Sequence, residues 1–234
     1  MVTQPTIDTT VADFVVSRPS RSRVFQRLGI DFCCGGKISL AEACRRRGLD
    51  PSETLDVLLH EQSNAAAGPD PATMTLSALC DHIEQIHHAS LRTELPRLVQ
   101  LAHKVASVHG DLHPWLRELE PLLEQFTTDL SVHMMTEEVI LFPAIRRIES
   151  TGHKIGPELA APIRVMEHEH DTAGDDLAQF RTLSHDYAIP GDACTSFRVL
   201  LDGLRELDED MQVHVHKENN VLFPRVLGLI ASNQ

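Results

Sequence analysis

The pattern of apolar and polar positions is interrupted by one stretch without apolar periodicity, SNAAAGPDP at 63–71. This stretch divides the chain into two parts. Beyond this stretch the pattern predicts four long helices, over 75–108, 115–149, 157–185 and 192–229. Glycine and proline end helices, and they separate these segments at Gly110 and Pro114, Gly152 to Pro157, and Pro190 with Gly191. Four long helices with short connections predict an all-α fold, an up-down-up-down four-helix bundle.

The segment before this stretch is built differently. Between residues 10 and 62, glycine and proline interrupt several short helical stretches. Ser39 with Glu42 has the spacing of a capping box, and Asp50 before Pro51 is a typical helix N-cap. The sequence therefore predicts a small helical N-terminal domain at 1–62, a linker at 63–71 and the bundle at 72–234.

Composition supports a helical globular protein. Hydrophobic residues make up 42% of the chain, charged residues 24% and aromatic residues 4%, with many leucines. Unbranched side chains lose little rotamer freedom in a helix. The net charge of -13 would repel nucleic acid and anionic membrane surfaces, so neither is an expected partner.

The sequence also bears on the cellular compartment. No window contains the eighteen or so apolar residues of a membrane span, and the first residues lack the layout of a signal peptide. We expect a cytoplasmic protein. Five cysteines, an odd number, indicate reduced thiols. Cys44, Cys80 and Cys194 are interpreted as core or neutral positions.

An internal repeat carries the candidate chemistry. The segment HMMTEEVILFP at 133–143 recurs as HVHKENNVLFP at 214–224, 81 residues later. In the preceding helices, His88 lies 45 residues before His133, and His170 lies 44 residues before His214. The repeating unit is therefore a pair of helices.

Each repeat places a histidine and a glutamate on one helix face. Residues four apart lie one turn apart, as do His133 with Glu137 and His214 with Glu218. One such pair is commonly a surface hydrogen bond. Its duplication, followed each time by Leu-Phe-Pro, favours a buried metal site. With one histidine from each partner helix, the predicted ligands are His88, His133, Glu137, His170, His214 and Glu218. Imidazole and carboxylate together suit iron, manganese or zinc, and bridging carboxylates favour two ions.

A second ligand register competes with the first. Glu84 with His87, and Glu167 with His170, have the Glu-x-x-His spacing of ferritin-like proteins. This register leaves His133 and His214 unused, so we rank His88 above His87.

Other polar residues have several interpretations. Glu169 and Asp171 flank His170 and either orient ligands, relay protons or form a solvated acidic face. His109, at the end of the first long helix, either lines an entrance to the site or caps the helix as a cation. Surface or ligand-supporting roles are expected for His82, His168 and His216.

Two adjacent thiols stand in the N-terminal segment, in the sequence DFCCGG at 31–36. Cys33 and Cys34 precede a predicted helix start near Ser39, and a helix N-terminus lowers thiol pKa values. A redox contact, a transient partner disulfide and metal delivery are the functional interpretations. Two small residues in a turn are the structural one.

Taken together, DFCCGG, HMMTEEVILFP, MEHEHDTAG and HVHKENNVLFPR resemble the hemerythrin-like repair of iron centres proteins, or iron-sulfur cluster repair di-iron proteins. The resemblance implies a hemerythrin-like bundle with a ScdA-type N-terminal domain. It also implies that the six ligands named above hold an oxo-bridged pair of iron ions, with both glutamates bridging.

The resemblance implies repair of iron-sulfur clusters damaged by nitrosative or oxidative stress, by donation of iron. Damaged iron-sulfur proteins would be transient partners, and nitric oxide or oxygen small ligands. A nitric oxide reductase, with Glu169 as proton relay, and a redox or gas sensor module are the alternatives. The oligomeric state stays open between monomer and homodimer.

Overall fold

The computed structural model of the chain describes residues 4–61, 70–151 and 159–232. These residues form two compact units, one of Met1–Leu79 with Gln212–Gln234 and one of Cys80–Met211. Most of the predicted linker, 63–69, lies outside the described residues, so the boundaries 1–62 and 72–234 stay predictions. No helix in the described parts of the chain is both long and apolar enough to cross a membrane.

The described helices follow the predicted segments. The first four are α1 (Val11–Ser17), α2 (Ser22–Leu28), α3 (Leu40–Arg47) and α4 (Pro51–His60). The helices of the predicted long segments are α5 (Leu76–His82), α6 (Ala89–His109), α7 (Leu116–Thr136), α8 (Phe142–Thr151), α9 (Ala160–Leu183), α10 (Thr195–Lys217) and α11 (Phe223–Ser232). Three π turns join consecutive helices, at Ile83–His88, Glu137–Leu141 and Glu218–Leu222. The all-α prediction is confirmed.

The unit Cys80–Met211 contains the four-helix bundle predicted from the sequence. Leucines of α6 and α7 recur at helical spacing and are buried, because each helix turns one apolar face inward. Phe126 of α7 packs edge-on against Phe180 of α9, with ring centroids 5.5 Å apart. Arg181 of α9 donates to Asp208 of α10 over 2.6 Å. These contacts place α7, α9 and α10 side by side.

The unit Met1–Leu79 with Gln212–Gln234 has its own core. Phe25 lies between Phe14 and Phe32, with ring centroids 6.1 and 6.3 Å away. The caps predicted for α3 and α4 are present. Ser39 Oγ accepts from Glu42 N, and Asp50 Oδ1 accepts from Glu53 N. Local sequence therefore determines where these short helices begin.

One arginine of the N-terminal basic run is structural. Charge runs such as Arg18 to Arg27 commonly form a solvated face, but Arg21 is buried. Its guanidinium donates to the carbonyl oxygens of Leu58 and Phe14, over 3.0 and 3.2 Å. Burial lowers the pKa of Arg21, with a smaller contribution from Arg18. These hydrogen bonds connect α4 to α1.

Candidate metal centre

Four predicted ligands meet inside the bundle unit. His88, His133, Glu137 and His170 are each at most 5% exposed. The Nε2 atoms of His133 and His170 lie 3.0 Å apart. Metal-binding atoms of His133, Glu137 and His170 all lie within 4.8 Å of one another. This is a buried group of imidazole and carboxylate donors that can hold a cation.

Glu137 lies between two imidazoles. Its Oε2 atom is 3.4 Å from Nε2 of His88 and 3.5 Å from Nε2 of His133. Neighbouring ligands of one metal ion, each about 2 Å from it, lie about 3 Å from each other. A carboxylate at this distance from two separate rings can share a cation with either of them.

Acidic side chains fix the orientation of two of these rings. His133 Nδ1 lies 2.7 Å from Glu169 Oε2, and His88 Nδ1 lies 2.7 Å from Glu138 Oε1. A neutral imidazole that donates through Nδ1 presents a lone pair at Nε2, which is the form that binds metals. In both rings Nε2 is the atom that faces Glu137.

Glu138 is itself held as a carboxylate. Burial raises its pKa, but hydrogen bonds from His88 and Arg92 outweigh burial, so its pKa lies below the usual value. It therefore accepts the proton of His88 instead of supplying one. Sequence reasoning missed Glu138 because nothing in its spacing marks it. Its partners, His88 and Arg92, approach Glu138 only in the folded bundle.

The second repeat carries the same pair in the other unit. His214 Nε2 lies 3.2 Å from Glu218 Oε1, and both residues are completely buried. Glu218 begins a π turn, as Glu137 does in the first repeat. π turns are frequently found at functional sites. The sequence repeat is therefore also a repeat of local structure.

The Leu-Phe-Pro tail has a packing role. Phe142 is fully buried and stacks on the ring of His88, with centroids 5.9 Å apart. The aromatic ring limits the positions that this imidazole can take. It is one physical reason for the phenylalanine at this place in the repeat.

The Glu84 and His87 half of the competing Glu-x-x-His register makes other contacts. His87 Nδ1 lies 2.8 Å from Asp210 Oδ1, and Glu84 Oε1 accepts from Arg146 over 2.9 Å. His88, and not His87, belongs to the group with Glu137. The geometry thus favours the His-x-x-x-Glu register.

The donor set fits a cation. Lone pairs of His88 and His133 face the carboxylate of Glu137, and burying these groups costs several kcal/mol unless their charges and lone pairs are compensated. Nitrogen and oxygen donors in this combination suit iron, manganese or zinc. The chemistry of the donors therefore agrees with the resemblance, which implies iron.

His216 has a role that was not expected. We predicted a surface or ligand-supporting position, but His216 is 5% exposed and its Nδ1 donates to Phe32 O over 3.2 Å. Burial lowers its pKa to about 4. Asn220 donates to the carbonyl oxygens of Phe32 and Cys33. The helix that carries His214 and Glu218 thus holds the thiol loop.

The two thiols stand in a tight loop around Asp31. Asp31 Oδ1 accepts from the backbone of Cys33 and Cys34, and Oδ2 accepts from Gly35 N. A Cβ atom on Gly36 would lie 2.5 Å from Phe32 O, so this position requires glycine. The sequence DFCCGG is therefore a compact turn.

The expectation of a lowered thiol pKa is wrong for Cys33. A hydrogen bond with Cys34 has the largest effect, followed by burial and by the Asp31 carboxylate, and together they raise the pKa of Cys33 well above its usual value. The helix start at Leu40 is too far along the chain to offset them. Cys33 is a protonated thiol at neutral pH.

Alkylation should reveal this difference. With iodoacetamide at pH 7, we expect labelling of Cys34 and little labelling of Cys33, because the thiolate is the reactive form. Labelling of Cys33 should increase as the pH rises above 9. Mass spectrometry of the cysteine peptide measures both sites. Asp31→Asn should shift the Cys33 profile to lower pH, and equal labelling of both thiols at pH 7 would contradict the assignment.

Comparisons with known proteins agree with this arrangement. The family model of the hemerythrin HHE cation binding domain matches residues 80–226. The model ScdA_N, a domain of unknown function (DUF542), matches residues 7–62. The chain is 37% identical to the "Probable iron-sulfur cluster repair protein" of Haemophilus influenzae, over 93% of this chain and 96% of that protein.

Two further relatives are named iron-sulfur cluster repair protein YtfE. The proteins of Escherichia coli O157:H7 and Citrobacter koseri are each 36% identical to the chain, over 94% of the chain and 97% of the relative. Identity of this extent covers both the thiol segment and the bundle. The chain therefore belongs to the hemerythrin HHE family that includes these iron-sulfur cluster repair proteins.

Proposed function

We propose that the chain holds two iron ions and repairs damaged iron-sulfur clusters by donating iron to them. The ligand residues are those of the repeat and its partner helices: His88, His133, Glu137, His170, His214 and Glu218. When bound, the pair of irons supplies exchangeable metal and redox chemistry. The observation that carries the proposal is the position of Glu137 between the imidazoles of His88 and His133.

Three features support two ions over one. Glu137 lies within 3.5 Å of rings from two different helices. His214 and Glu218 reproduce the pair His133 and Glu137 in the second repeat. The hemerythrin HHE match includes both repeats, since it extends from residue 80 to residue 226. Four imidazoles and two carboxylates leave coordination positions open on a pair of irons, which favours exchange of metal.

The surroundings of the ligands also suit iron that is shielded from water and yet lies close to the protein surface. The ligand side chains of the bundle unit are buried, which excludes water. The partners of their rings, Glu138 and Glu169, are 22% and 44% exposed. Each of these carboxylates joins the orientation of a ligand ring to the protein surface.

The proposed repair function is inferred from the relatives. Their names describe iron-sulfur cluster repair, and they align with 93% or more of this chain. Damaged iron-sulfur proteins are then the partners, and the cytoplasm is the proposed location. Cys33 and Cys34 are proposed to take part in the contact with the client, since their loop is held by the helix that carries His214 and Glu218.

The direct test is repair by the purified protein. Protein prepared without oxygen should contain about two irons per chain and, after exposure to air, show the absorption of an oxo-bridged ferric pair. It should reactivate an iron-sulfur enzyme that nitric oxide has inactivated, with loss of iron from the repair protein. Reactivation without such loss would contradict donation, and protein that cannot be loaded with iron would contradict the entire proposal.

Removing an outer acceptor should weaken metal binding without unfolding the bundle. Glu138→Gln keeps the shape of the side chain but replaces the carboxylate that holds His88 with an amide. Loss of such a partner typically lowers metal affinity by about 10- to 100-fold. Competition with an iron chelator measures the effect. Glu124→Gln, on an exposed position of α7, is the matched control, and equal affinities of the two variants would contradict the role of Glu138.

A second candidate function is reduction of nitric oxide, favoured by the contact of Glu169 with His133. Two nitric oxide molecules, two electrons and two protons give nitrous oxide and water. Glu169 is 44% exposed and 2.7 Å from His133, so it joins solvent to the ligand shell and can pass protons. Single-turnover assays of reduced protein should yield nitrous oxide, more slowly per bound iron and with an altered pH profile in Glu169→Gln. A stable nitrosyl adduct without nitrous oxide would exclude this function.

A further inference from the structure

Two hydrogen-bonded pairs of side chains with metal-binding atoms lie near each other at the α6–α7 and α9–α10 connections of the bundle unit. His109 Nε2 lies 3.2 Å from Cys194 Sγ. His113 Nε2 lies 3.0 Å from Asp192 Oδ2. None of the four belongs to the proposed iron centre. The sequence analysis left His109 between two roles and treated Cys194 as a core or neutral position, whereas the structure exposes this thiol and pairs it with His109.

An aromatic floor holds the two imidazoles side by side. The ring of Phe197 is 5.2 Å from that of His109 and 5.3 Å from that of His113. The two imidazole centroids are 6.5 Å apart. Trp115 packs on the same phenylalanine, with centroids 5.8 Å apart. Because Phe197 is fully buried, the floor is a fixed part of the bundle.

The other two donors are positioned by the start of α10. Cys194 O accepts from Arg198 N over 3.0 Å, so Cys194 is the residue from which the helix begins. Asp192 lies two residues earlier and is half-exposed. The hydrogen bond from His113 lowers the pKa of Asp192, which keeps it a carboxylate. The cluster is open to ions from solvent on this side.

We propose that His109, His113, Asp192 and Cys194 form a binding site for one zinc ion. A thiolate, two imidazoles and a carboxylate are all donors that zinc accepts in tetrahedral sites. Neighbouring donors around zinc lie about 3 to 4 Å apart, and each hydrogen-bonded pair already has nearly this spacing. Without metal, the hydrogen bonds hold the donors in pairs. With metal, the thiol releases its proton and the ion replaces the hydrogen bonds.

The two pairs must move toward each other to share one ion. Two imidazoles on a single tetrahedral zinc have ring centroids about 5 Å apart, so the rings need to approach by about 1 to 2 Å from their positions here. His109 and His113 are partly buried on Phe197, so the movement combines rotation of these rings with rotation of the exposed Asp192 and Cys194 side chains. The bound ion then clamps the α6–α7 connection to the α9–α10 connection, which stabilises the folded state.

Cobalt is the probe that tests this site, because a cobalt-bound thiolate absorbs light by charge transfer. The full chain, loaded with iron, is titrated with Co²⁺ and separately with Zn²⁺. We expect one equivalent of Co²⁺ beyond the iron, a near-ultraviolet thiolate band, its displacement by Zn²⁺, and a higher Tm with zinc. Cys194→Ser should remove the band and the increase in Tm.

Matched variants separate this site from the other thiols and from the iron centre. Cys33→Ser with Cys34→Ser should keep the band, whereas His109→Ala and Asp192→Asn should each weaken binding at least tenfold. A band that survives in Cys194→Ser would overturn the proposal. So would the absence of an additional equivalent, or a thiol that reacts with peroxide but binds no cobalt.

Discussion

Replacing His133 and His214 by alanine together should remove the iron. We expect metal content to fall from about two irons per chain to less than a tenth of that value, with loss of the ferric absorption. Each substitution takes the imidazole from one repeat and leaves a buried glutamate behind. Fewer donors bind iron more weakly, and the remaining carboxylates cannot compensate because Glu137 already serves two imidazoles.

The control is a pair of histidines outside the ligand group. His103→Ala with His168→Ala removes two exposed imidazoles from helices that also carry, or pack beside, the centre. This variant should keep its iron. Circular dichroism establishes that both variants remain helical. If the His133 and His214 variant retained its iron, or if the control lost as much iron, the repeat would not form the metal centre. The proposed donation of iron would then be contradicted as well.

Replacing Cys33 and Cys34 by alanine together should abolish repair while the iron stays bound. The thiols lie outside the ligand group, so metal content and the ferric spectrum should match those of the unaltered protein. The loop is nevertheless held by His216 and Asn220, on the same turns that carry His214 and Glu218. A thiol in this position is suited to receive iron that leaves the centre.

The single variants rank the two thiols. Cys34 is more exposed than Cys33, and the raised pKa of Cys33 keeps that thiol protonated. Cys34→Ala should therefore lose most of the repair activity, at least tenfold, and Cys33→Ala should lose less. The measurement is reactivation of an iron-sulfur enzyme damaged by nitric oxide, at equal iron content. Full activity in the double variant would exclude the thiols from repair and leave the iron centre unaffected.

Sequence alone was sufficient for the helices and for the pairing of histidine with glutamate within each repeat. Residues four apart share a helix face whatever the rest of the chain does, so His133 with Glu137 and His214 with Glu218 follow from local geometry. The same holds for the caps at Ser39 and Asp50, where one side chain satisfies the first backbone groups of its own helix.

The choice between His87 and His88 needed the tertiary structure. A π turn at Ile83–His88 adds a residue to the helical turn, which changes the faces that neighbouring residues occupy. Both histidines are buried, so regular helical spacing cannot predict which carboxylate each of them contacts. In the structure His88 lies beside Glu137 and Glu138, whereas His87 contacts Asp210, so the folded contacts support the ranking of His88 above His87.

Contacts between distant segments could not be predicted from the sequence either. Glu138 and Glu169 orient ligand rings 50 and 36 residues away, and His109 meets Cys194 across 85 residues. The pKa of Cys33 depends on burial and on the folded position of Asp31. Periodicity reports which face of a helix is apolar, but only packing determines which charges and donors face each other. The sequence by itself determined the helices and the pairing of histidine with glutamate in each repeat, and the tertiary structure decided which groups orient, protonate or neighbour these side chains.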